Sequence, residues 1–169
     1  MNVAVKEKAP SVREALALKP DGVLEMIAAQ CGVPLARVFE ELPQGAAVKV
    51  EGARFAELWQ ELTQWGDVLF IVHTRDIVLE CKGPLPQGSS AQGYFNIHGD
   101  SPIGGHIKAD RCAAIYFIDR LFHGRRSCSL QFMNGEGEAM FKVFVRRDDK
   151  RELIAGQLAQ FEALRAKMA

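Results

Sequence analysis

The residues best suited to chemistry in this chain lie between positions 93 and 110, in the string GYFNIHGDSPIGGHIKAD. Phenolate and imidazole groups ligate iron, and an ammonium group attracts anions. The string supplies all three groups through Tyr94, His98, His106 and Lys108. These residue types therefore indicate a site that binds iron or an anion.

The same string predicts two short strands joined by a loop. Glycine, proline, aspartate and serine, the residue types that turn a chain, separate an extended piece at 94–98 from another at 106–109. Alternation along the first strand places Tyr94 and His98 on one face and Phe95 on the other. We therefore expect a polar, ligand-bearing face that backs onto an apolar one.

A third histidine, His73, ends the apolar run VLFIVH. An unpaired imidazole in such a setting would cost about 1–3 kcal/mol, so this side chain needs a hydrogen-bond partner or a function. His123, in LFHGRR, is interpreted as a bystander, and each histidine also fits an ordinary structural role. No two of them have the short spacing of a structural zinc site, and no hydrolase nucleophile elbow is present. The chemical hypothesis is a haem or metal site built from His73, Tyr94, His98 and His106.

Composition restricts the class of protein. With 169 residues and 48% apolar content, the chain is expected to form one domain that buries its core without disulfides. The four cysteines include no CxxC pair, which predicts reduced, mostly buried thiols in a cytoplasmic protein. The 21 basic and 21 acidic residues cancel, which argues against nucleic acid or an anionic membrane as the main partner. No apolar run approaches the roughly 20 residues of a membrane span, so we expect no membrane insertion.

Helical patterns fill residues 11–65. Ser11 and Glu14 have the spacing of a capping box, Asp21 is the predicted cap of a second helix, and Pro34 opens a third. A fourth helix carries a stripe of large apolar side chains at helical spacing, which we interpret as core: Phe55, Leu58, Trp59, Leu62 and Trp65. The first third of the chain is therefore predicted to be helical.

Residues 66–147 are predicted to be mainly strand. Apolar or alternating runs joined by turn residues predict antiparallel strands at 68–73, 77–81, 94–98, 106–109, 114–122, 127–133 and 140–146. Prolines and glycines at 83–93 predict a mobile loop, and Asp149 with Glu152 predicts a final helix over 149–168. This order indicates one α+β domain over residues 1–169, with N-terminal helices, antiparallel β-sheets and a C-terminal helix.

A DNA-binding motif is a second hypothesis. Residues 22–42 place Ala28, Gly32 and Val38 at the spacing of a helix-turn-helix, with glycine at the turn. The would-be recognition helix, however, sets Arg37 against two glutamates, and no basic stripe flanks it. Its surface would repel phosphate, so DNA-linked regulation is a distant alternative.

Four longer strings resemble one known family. They are GDVLFIVHTRDIVLECKGPLPQG, GYFNIHGD, GGHIKAD and EGEAMFKVFVRRDDKRELIAGQL, at residues 66–88, 93–100, 104–110 and 136–158. The opening LKPDGVLEMIA extends the likeness over nearly the whole chain. In length and order these strings resemble the HutX/ChuX/HuvX family of cytosolic haem-utilisation carrier proteins. In that family the N-terminal helices carry the helix-turn-helix pattern without reading DNA.

The resemblance implies an intracellular haem-binding carrier that accepts haem b as cargo after uptake and passes it to a haem-degrading partner protein. It also implies a homodimer, and a fold that resembles one half of the HemS/ChuS haem-protein fold. His73 and His106 fall on the family's two histidine motifs, while Tyr94 falls on a tyrosine proposed as ligand in some members. Family members differ at the position of His98. Tyr94 is slightly favoured as the iron ligand, with the two motif histidines as alternative ligands or hydrogen-bond partners.

Haem would also need contacts for its propionates and its porphyrin faces. The nearest cations by sequence are Lys108, Arg111, Arg125 and Arg126, although a solvated surface charge is the commoner role for any one of them. The plausible apolar contacts, which core packing also explains, are Phe95, Ile97, Ile103 and Ile107. The main alternative to a non-enzymatic carrier is a haem-degrading enzyme of the haem oxygenase type, because the two differ in how the bound haem meets oxygen.

Overall fold

The computed structural model describes residues 9–169, and these form the predicted α+β fold. The helices of this part of the chain are α1 (Val12–Leu18), α2 (Leu24–Cys31), α3 (Leu35–Phe39), α4 (Phe55–Leu62) and α5 (Ala155–Met168). Its strands are β1 (Ala47–Glu51), β2 (Asp67–His73), β3 (Val78–Pro84), β4 (Gly88–Ala91), β5 (Tyr94–Ile97), β6 (Gly105–Ile107), β7 (Cys112–Phe122), β8 (Arg125–Asn134) and β9 (Ala139–Phe144).

The larger of two antiparallel sheets has six strands in the order β1-β7-β8-β9-β2-β3. Its longest hairpin is β7–β8, which pairs Phe122 with Arg125 beside the turn and Cys112 with Asn134 at the far end. Successive side chains along these strands point to opposite faces, and both faces carry apolar residues. Each face of the sheet therefore needs its own cover.

The three N-terminal helices cover part of one face. Their buried side chains, including Ile27 and Phe39, pack with Tyr116 of β7 and Met133 of β8. Phe39 meets Tyr116 edge to face, with 5.0 Å between the ring centroids. The helices cover β7 and part of β8, and the same face is left uncovered over β9, β2 and β3.

The opposite face is covered by α4, α5 and the small sheet, whose order is β4-β5-β6. Trp59 of α4 is buried, and its indole N–H donates to the carbonyl of Pro86 at 2.8 Å. Phe95 of β5 packs edge to face on Phe55 and Trp59, at centroid distances of 5.2 and 5.3 Å. Phe161 of α5 packs on Phe117 of β7. The small sheet is thus attached through its apolar face, as the alternation of β5 predicted, and its polar face points outward.

Helix starts were predicted with mixed success. The capping box of α1 is confirmed, because the Ser11 hydroxyl accepts a bond from the Glu14 amide while the Glu14 carboxylate accepts one from the Ser11 amide. The prediction that Asp21 caps α2 is wrong, since α2 begins after Val23 without a side-chain cap. The Asp21 carbonyl instead accepts a bond from the His123 amide, so its position is set by the β7–β8 turn.

The predicted start of the last helix at residue 149 is also wrong, because α5 begins at Ala155. The Asp148 carboxylate accepts bonds from the amides of Lys150 and Glu152, at 2.9 and 3.0 Å. These bonds close a turn that pairs Arg147 with Leu153. The turn before the helix is therefore built by the Asp148 carboxylate and not by the predicted pair Asp149 and Glu152.

Two strands lie where none was predicted. β1 falls inside the region predicted to be helical, and it pairs Val50 with Ile115 of β7. β4 falls inside the predicted mobile loop at 83–93, where it pairs with β5. A Cβ at Gly88 would lie 2.2 Å from the Phe95 ring, so glycine is needed for β4 to cross that side chain. The small polar residues of β4 carry no strand pattern, and tertiary pairing alone defines this strand.

Candidate functional site

A cavity of about 550 Å³ opens on the uncovered part of the six-stranded sheet. Strands β8, β9 and β2 form its floor, β3 forms one rim, and the start of α2 with the end of β7 forms the other. Val78 and Phe122 stand at its mouth, with 54% and 38% of their surface exposed. Its volume lies within the range of pockets that bind small molecules and cofactors.

Strand register arranges the cavity floor in rows. One row is largely apolar and the next has polar side chains at its centre. Across β8, β9 and β2 the rows are Ser129–Phe144–Leu69 and Gln131–Lys142–Ile71. Gln131 and Lys142 are both 5% exposed, so the floor of the cavity contains buried polar groups between apolar side chains. Such groups are costly to bury unless they are paired.

His73, Glu25 and Lys142 form a charged group at the α2 side of the cavity. His73 is the last residue of β2, and its Nδ1 lies 3.4 Å from Oε1 of Glu25 on α2. The Lys142 ammonium contacts the same carboxylate oxygen. Burial lowers the pKa of Lys142 to about 8, while the adjacent carboxylate acts in the opposite direction. The lysine and the glutamate therefore form an ion pair beside the imidazole.

Basic side chains outnumber acidic ones around the cavity. The two acidic residues are Glu25 and Glu80, and the five basic residues are Lys82, Arg120, Lys142, Arg146 and Arg147. Arg120 donates from Nη2 to the carbonyls of Pro20 and Gly22, both at 2.9 Å. Its Nε is buried without a hydrogen-bond partner in the described part of the chain, and burial lowers the Arg120 pKa. The cavity thus favours a ligand that is apolar in part and negatively charged in part.

Tyr94 and His106 lie together on the outward face of the small sheet. Their ring centroids are 5.9 Å apart, and the Lys108 ammonium stands 4.1 Å from the centroid of the Tyr94 ring. His106 Nδ1 is 2.6 Å from the Asn96 side-chain oxygen. Because that oxygen only accepts, Nδ1 carries the proton and Nε2 is left with a lone pair. This group is open to solvent, with Tyr94 41% exposed.

The structure therefore separates the predicted site residues into two groups. His73 lines the cavity, on the opposite face of the large sheet from the small sheet. Tyr94, His106 and Lys108 share the outward face of the small sheet, and none of them lines the cavity. His98 bonds to the Ser89 hydroxyl through Nε2, at 2.7 Å, just beyond the end of β5.

The other predicted propionate contacts lie outside the cavity and are already paired. Arg126 binds Asp119 and Glu162, at 2.7 and 2.9 Å. The remaining two pair with other glutamates, Arg111 with Glu136 and Arg125 with Glu152. Of the predicted porphyrin contacts, Phe95 and Ile103 are buried in the core, while Ile97 and Ile107 pack against it.

Sequence reasoning missed Glu25, Lys142 and the cavity arginines. Lys142 interrupts the apolar run MFKVFV of β9, and a lysine inside a buried strand demands a carboxylate partner. That signal was present but did not identify the partner, because Glu25 lies far away in the chain. The predicted DNA-reading helix α3 buries Leu35, Val38 and Phe39, and Arg37 is paired with Glu40 and Glu41.

No helix among residues 9–169 is long and apolar enough to cross a membrane. In the same part of the chain, no three side chains of the metal-ligating types His, Cys, Asp and Glu come together as a possible metal site.

The fold and the cavity define an α+β protein with a pocket of ligand size, and the chain corresponds to somewhat less than half of a larger known structure. The structure of holo-PhuS, a heme-binding protein from Pseudomonas aeruginosa, aligns with a TM-score of 0.72 and 14% identity. The alignment covers 90% of this chain and 44% of PhuS, a likeness that establishes the fold. The chain belongs to the haem utilisation ChuX/HutX family, whose model matches residues 48–164.

Individual relatives agree with this assignment. The intracellular heme transport protein HutX of Vibrio cholerae is 32% identical over 154 residues, which are 90% of this chain and 80% of HutX. A crystal structure of an Agrobacterium tumefaciens protein aligns over 100% of this chain and 98% of its own, with 54% identity and a TM-score of 0.87. The structure described as the heme binding protein ChuX aligns over 93% of this chain and 98% of its own, with 41% identity and a TM-score of 0.84. The resemblance noted in the sequence is thereby confirmed.

Proposed function

We propose that this protein is an intracellular haem carrier that binds haem b as cargo in the cavity beside His73. The observation that carries the proposal is the combination of apolar walls, one imidazole and an excess of cations in a single cavity. Haem is an apolar macrocycle with an iron that takes axial ligands and with two anionic propionates. Two of the relatives, HutX and ChuX, are a haem transport protein and a haem-binding protein, which supports the same cargo.

His73 is the proposed iron ligand. Of the candidate ligands Tyr94, His73, His98 and His106, it alone lines the cavity. Burial excludes water from a coordinate bond and adds apolar contacts to the porphyrin, whereas Tyr94 and His106 would hold haem on an open surface. The propionates are assigned to the cations that line the cavity, which are Lys82, Arg120, Arg146 and Arg147. Lys82 is the first choice, because Arg146 pairs with Asp67 while Arg120 and Arg147 donate to backbone carbonyls.

Transport rather than degradation is the proposed role of the bound haem. The protein would take haem delivered into the cytoplasm and pass it to a haem-degrading partner. Release requires a site that is open on one side, and Val78 and Phe122 expose apolar surface at the mouth of the cavity. A haem-degrading enzyme is the alternative from the same fold, since ChuS, described as a heme oxygenase, aligns at 16% identity.

A hemin titration followed by ascorbate under air tests carrier against enzyme. Catalase is included to remove peroxide, and free hemin in the same buffer is the control. A carrier binds one hemin per chain and keeps its Soret band after reductant is added. Bleaching with stoichiometric release of iron and an open-chain tetrapyrrole would identify an enzyme. A failure to bind hemin at micromolar concentrations would overturn both.

The protein is also proposed to be a homodimer. β3 is an edge strand of the six-stranded sheet, and more than half of the surface is exposed for Ile77, which precedes the strand, and for Val78 and Leu79 at its start. An unpaired apolar edge strand is a surface that proteins ordinarily cover. Multi-angle light scattering is expected to give twice the mass of the chain, and Leu79→Asp is expected to shift it toward the monomer. A wild-type protein that is monomeric at every micromolar concentration would contradict the dimer.

A further inference from the structure

Glu25 connects the N-terminal helices to the proposed iron ligand. Its Oε1 lies 3.4 Å from His73 Nδ1 and also contacts the Lys142 ammonium. The Lys142 side chain is 6% exposed, so this cation is held inside the protein next to the carboxylate. One carboxylate oxygen therefore lies against both a fixed cation and the imidazole, in charge contacts that do not have the geometry of ordinary hydrogen bonds. Glu25 itself lies before residue 48, where the match to the family model begins.

The direction of this contact determines which nitrogen of His73 can bind iron. A carboxylate beside Nδ1 favours the tautomer with the proton on that nitrogen, and the lone pair is then on Nε2. A metal-bound histidine commonly donates its other N–H to a carboxylate, which orients the ring and makes the imidazole a stronger ligand. Glu25 occupies the place of that carboxylate before any haem is bound.

Lys142 limits how strongly Glu25 can act on His73. A distance of 3.4 Å is longer than an ordinary N–H to oxygen hydrogen bond, which has a mode near 2.9–3.0 Å. The carboxylate oxygen is held by the lysine on the cavity floor, and the charge that it offers to the imidazole is partly neutralised there. Less charge on the ligand means a weaker bond to ferric iron, which suits a protein that must release its cargo.

We propose that Glu25 is a positioning residue that orients His73 for iron binding, and that its pair with Lys142 sets the strength of the iron–histidine bond. The inference rests on the proposed function, because it assumes haem in the cavity with His73 as its ligand. It adds that the N-terminal helices contribute to haem affinity through α2.

The test uses Glu25→Gln, Lys142→Met and the double variant in the full chain loaded with hemin. The readout is the iron–histidine stretching frequency of the ferrous complex in resonance Raman spectra, which reports the hydrogen bond at Nδ1. Glu25→Gln is expected to lower this frequency and to weaken hemin binding about tenfold. Lys142→Met is expected to raise the frequency, because the carboxylate is freed to accept from Nδ1.

The double variant separates this mechanism from a simple effect of charge. If Lys142 acts through Glu25, Lys142→Met changes nothing further once Glu25 is glutamine. Additive changes, or an unchanged frequency in Glu25→Gln, would overturn the inference. Lys108→Met, on the outward face of the small sheet and outside the cavity, serves as the lysine control, and it should leave the frequency unaltered. If Lys142→Met does not fold, Glu25→Gln and the double variant decide the question.

Hemin binding by His73→Ala distinguishes failure of the proposed function from failure of the role proposed for Glu25. If His73→Ala binds hemin with wild-type affinity and spectrum, haem is not held by His73 and the proposed site is wrong. If His73→Ala loses the complex while Glu25→Gln leaves both frequency and affinity unchanged, haem sits in the cavity and only the role of Glu25 is refuted.

Discussion

Two surfaces of this chain, the cavity and the outward face of the small sheet, carry similar candidate ligands in different surroundings. His73 lies in a cavity with apolar walls and has a carboxylate at Nδ1. His106 lies on an open sheet face beside Tyr94 and has an amide oxygen at Nδ1. Both imidazoles have Nε2 available, so ligand type does not distinguish them. The two sites differ in how far the surrounding residues enclose the imidazole. This enclosure determines how much porphyrin surface is removed from water when haem binds.

The proposed site does not coincide with the more conspicuous string, and the reason lies in how each is built. The 93–110 segment concentrates glycine, histidine and tyrosine because it forms a small edge sheet with a long loop. The cavity draws its residues from α2 and from strands β2, β3, β7, β8 and β9. A site assembled from distant strands has no short motif in the sequence, whereas the residues of a hairpin are close together in the sequence.

The largest expected effect is the loss of His73. His73→Ala should weaken hemin binding about a hundredfold, roughly 2.7 kcal/mol, because a coordinate bond in an apolar cavity is lost. Tyr94→Phe and His106→Ala should each change it less than about threefold, and His123→Ala on the β7–β8 turn is the control. Equilibrium titration of the Soret band measures all four.

A chemical rescue makes the same comparison sharper. In His73→Gly, added imidazole should enter the cavity and restore the wild-type spectrum, since the walls that hold haem are unchanged. The reverse order, with Tyr94→Phe abolishing a high-spin ferric spectrum while His73→Ala is silent, would move the site to the outward face of the small sheet.

The second prediction separates folding from binding. Asp119 accepts two hydrogen bonds from Arg126 and one from Arg165 of α5, at 2.7 to 3.0 Å. Those from Arg126 hold the pKa of Asp119 below its ordinary value, against the effect of burial. Asp119→Asn should lower the free energy of unfolding by about 2 kcal/mol at pH 7, with hemin affinity unaltered.

The pH dependence of that loss has a fixed sign. Because the folded pKa is depressed, the ionised Asp119 stabilises the protein above the ordinary aspartate pKa, and this contribution disappears as the pH falls through the folded value. Urea unfolding should therefore show a smaller difference between Asp119→Asn and wild type at pH 3 than at pH 7. A difference that is equal at both values would exclude the ion pair as its cause.

The third prediction uses two neighbours on β3. Val78 and Leu79 have 54% and 57% of their surface exposed, but only Val78 lines the cavity, because successive residues of a strand point to opposite faces. Val78→Asp should weaken hemin binding about fivefold, near 1 kcal/mol, by placing a carboxylate at the mouth. Leu79→Asp should leave the affinity intact even where it separates the subunits. Equal losses in both variants would mean that the dimer, rather than one chain, builds the site.

Much of the fold was predictable because it depends on local patterns. The β5–β6 pairing, the capping box of α1 and the apolar stripe of α4 follow from alternation, spacing and turn residues. β4 was not predictable, since its small polar residues become a strand only by pairing with β5. His73 was identified by an imidazole in an apolar run, but its partner Glu25 depends on how α2 packs on the sheet. Contacts between distant segments carry no local signature.

The smallest expected effect compares one lysine from each surface. Lys82 lines the cavity, and Lys108 stands over the Tyr94 ring. If the propionates lie in the cavity, Lys82→Met should weaken hemin binding about threefold, near 0.6 kcal/mol, as expected for a partly solvated ion pair. Lys108→Met should have no effect in the same titration. Because the interaction is electrostatic, the Lys82 difference should shrink in 1 M salt, where the screening length is about 3 Å. A salt-sensitive loss in Lys108→Met with none in Lys82→Met would assign the propionates, and with them the haem, to the outward face of the small sheet.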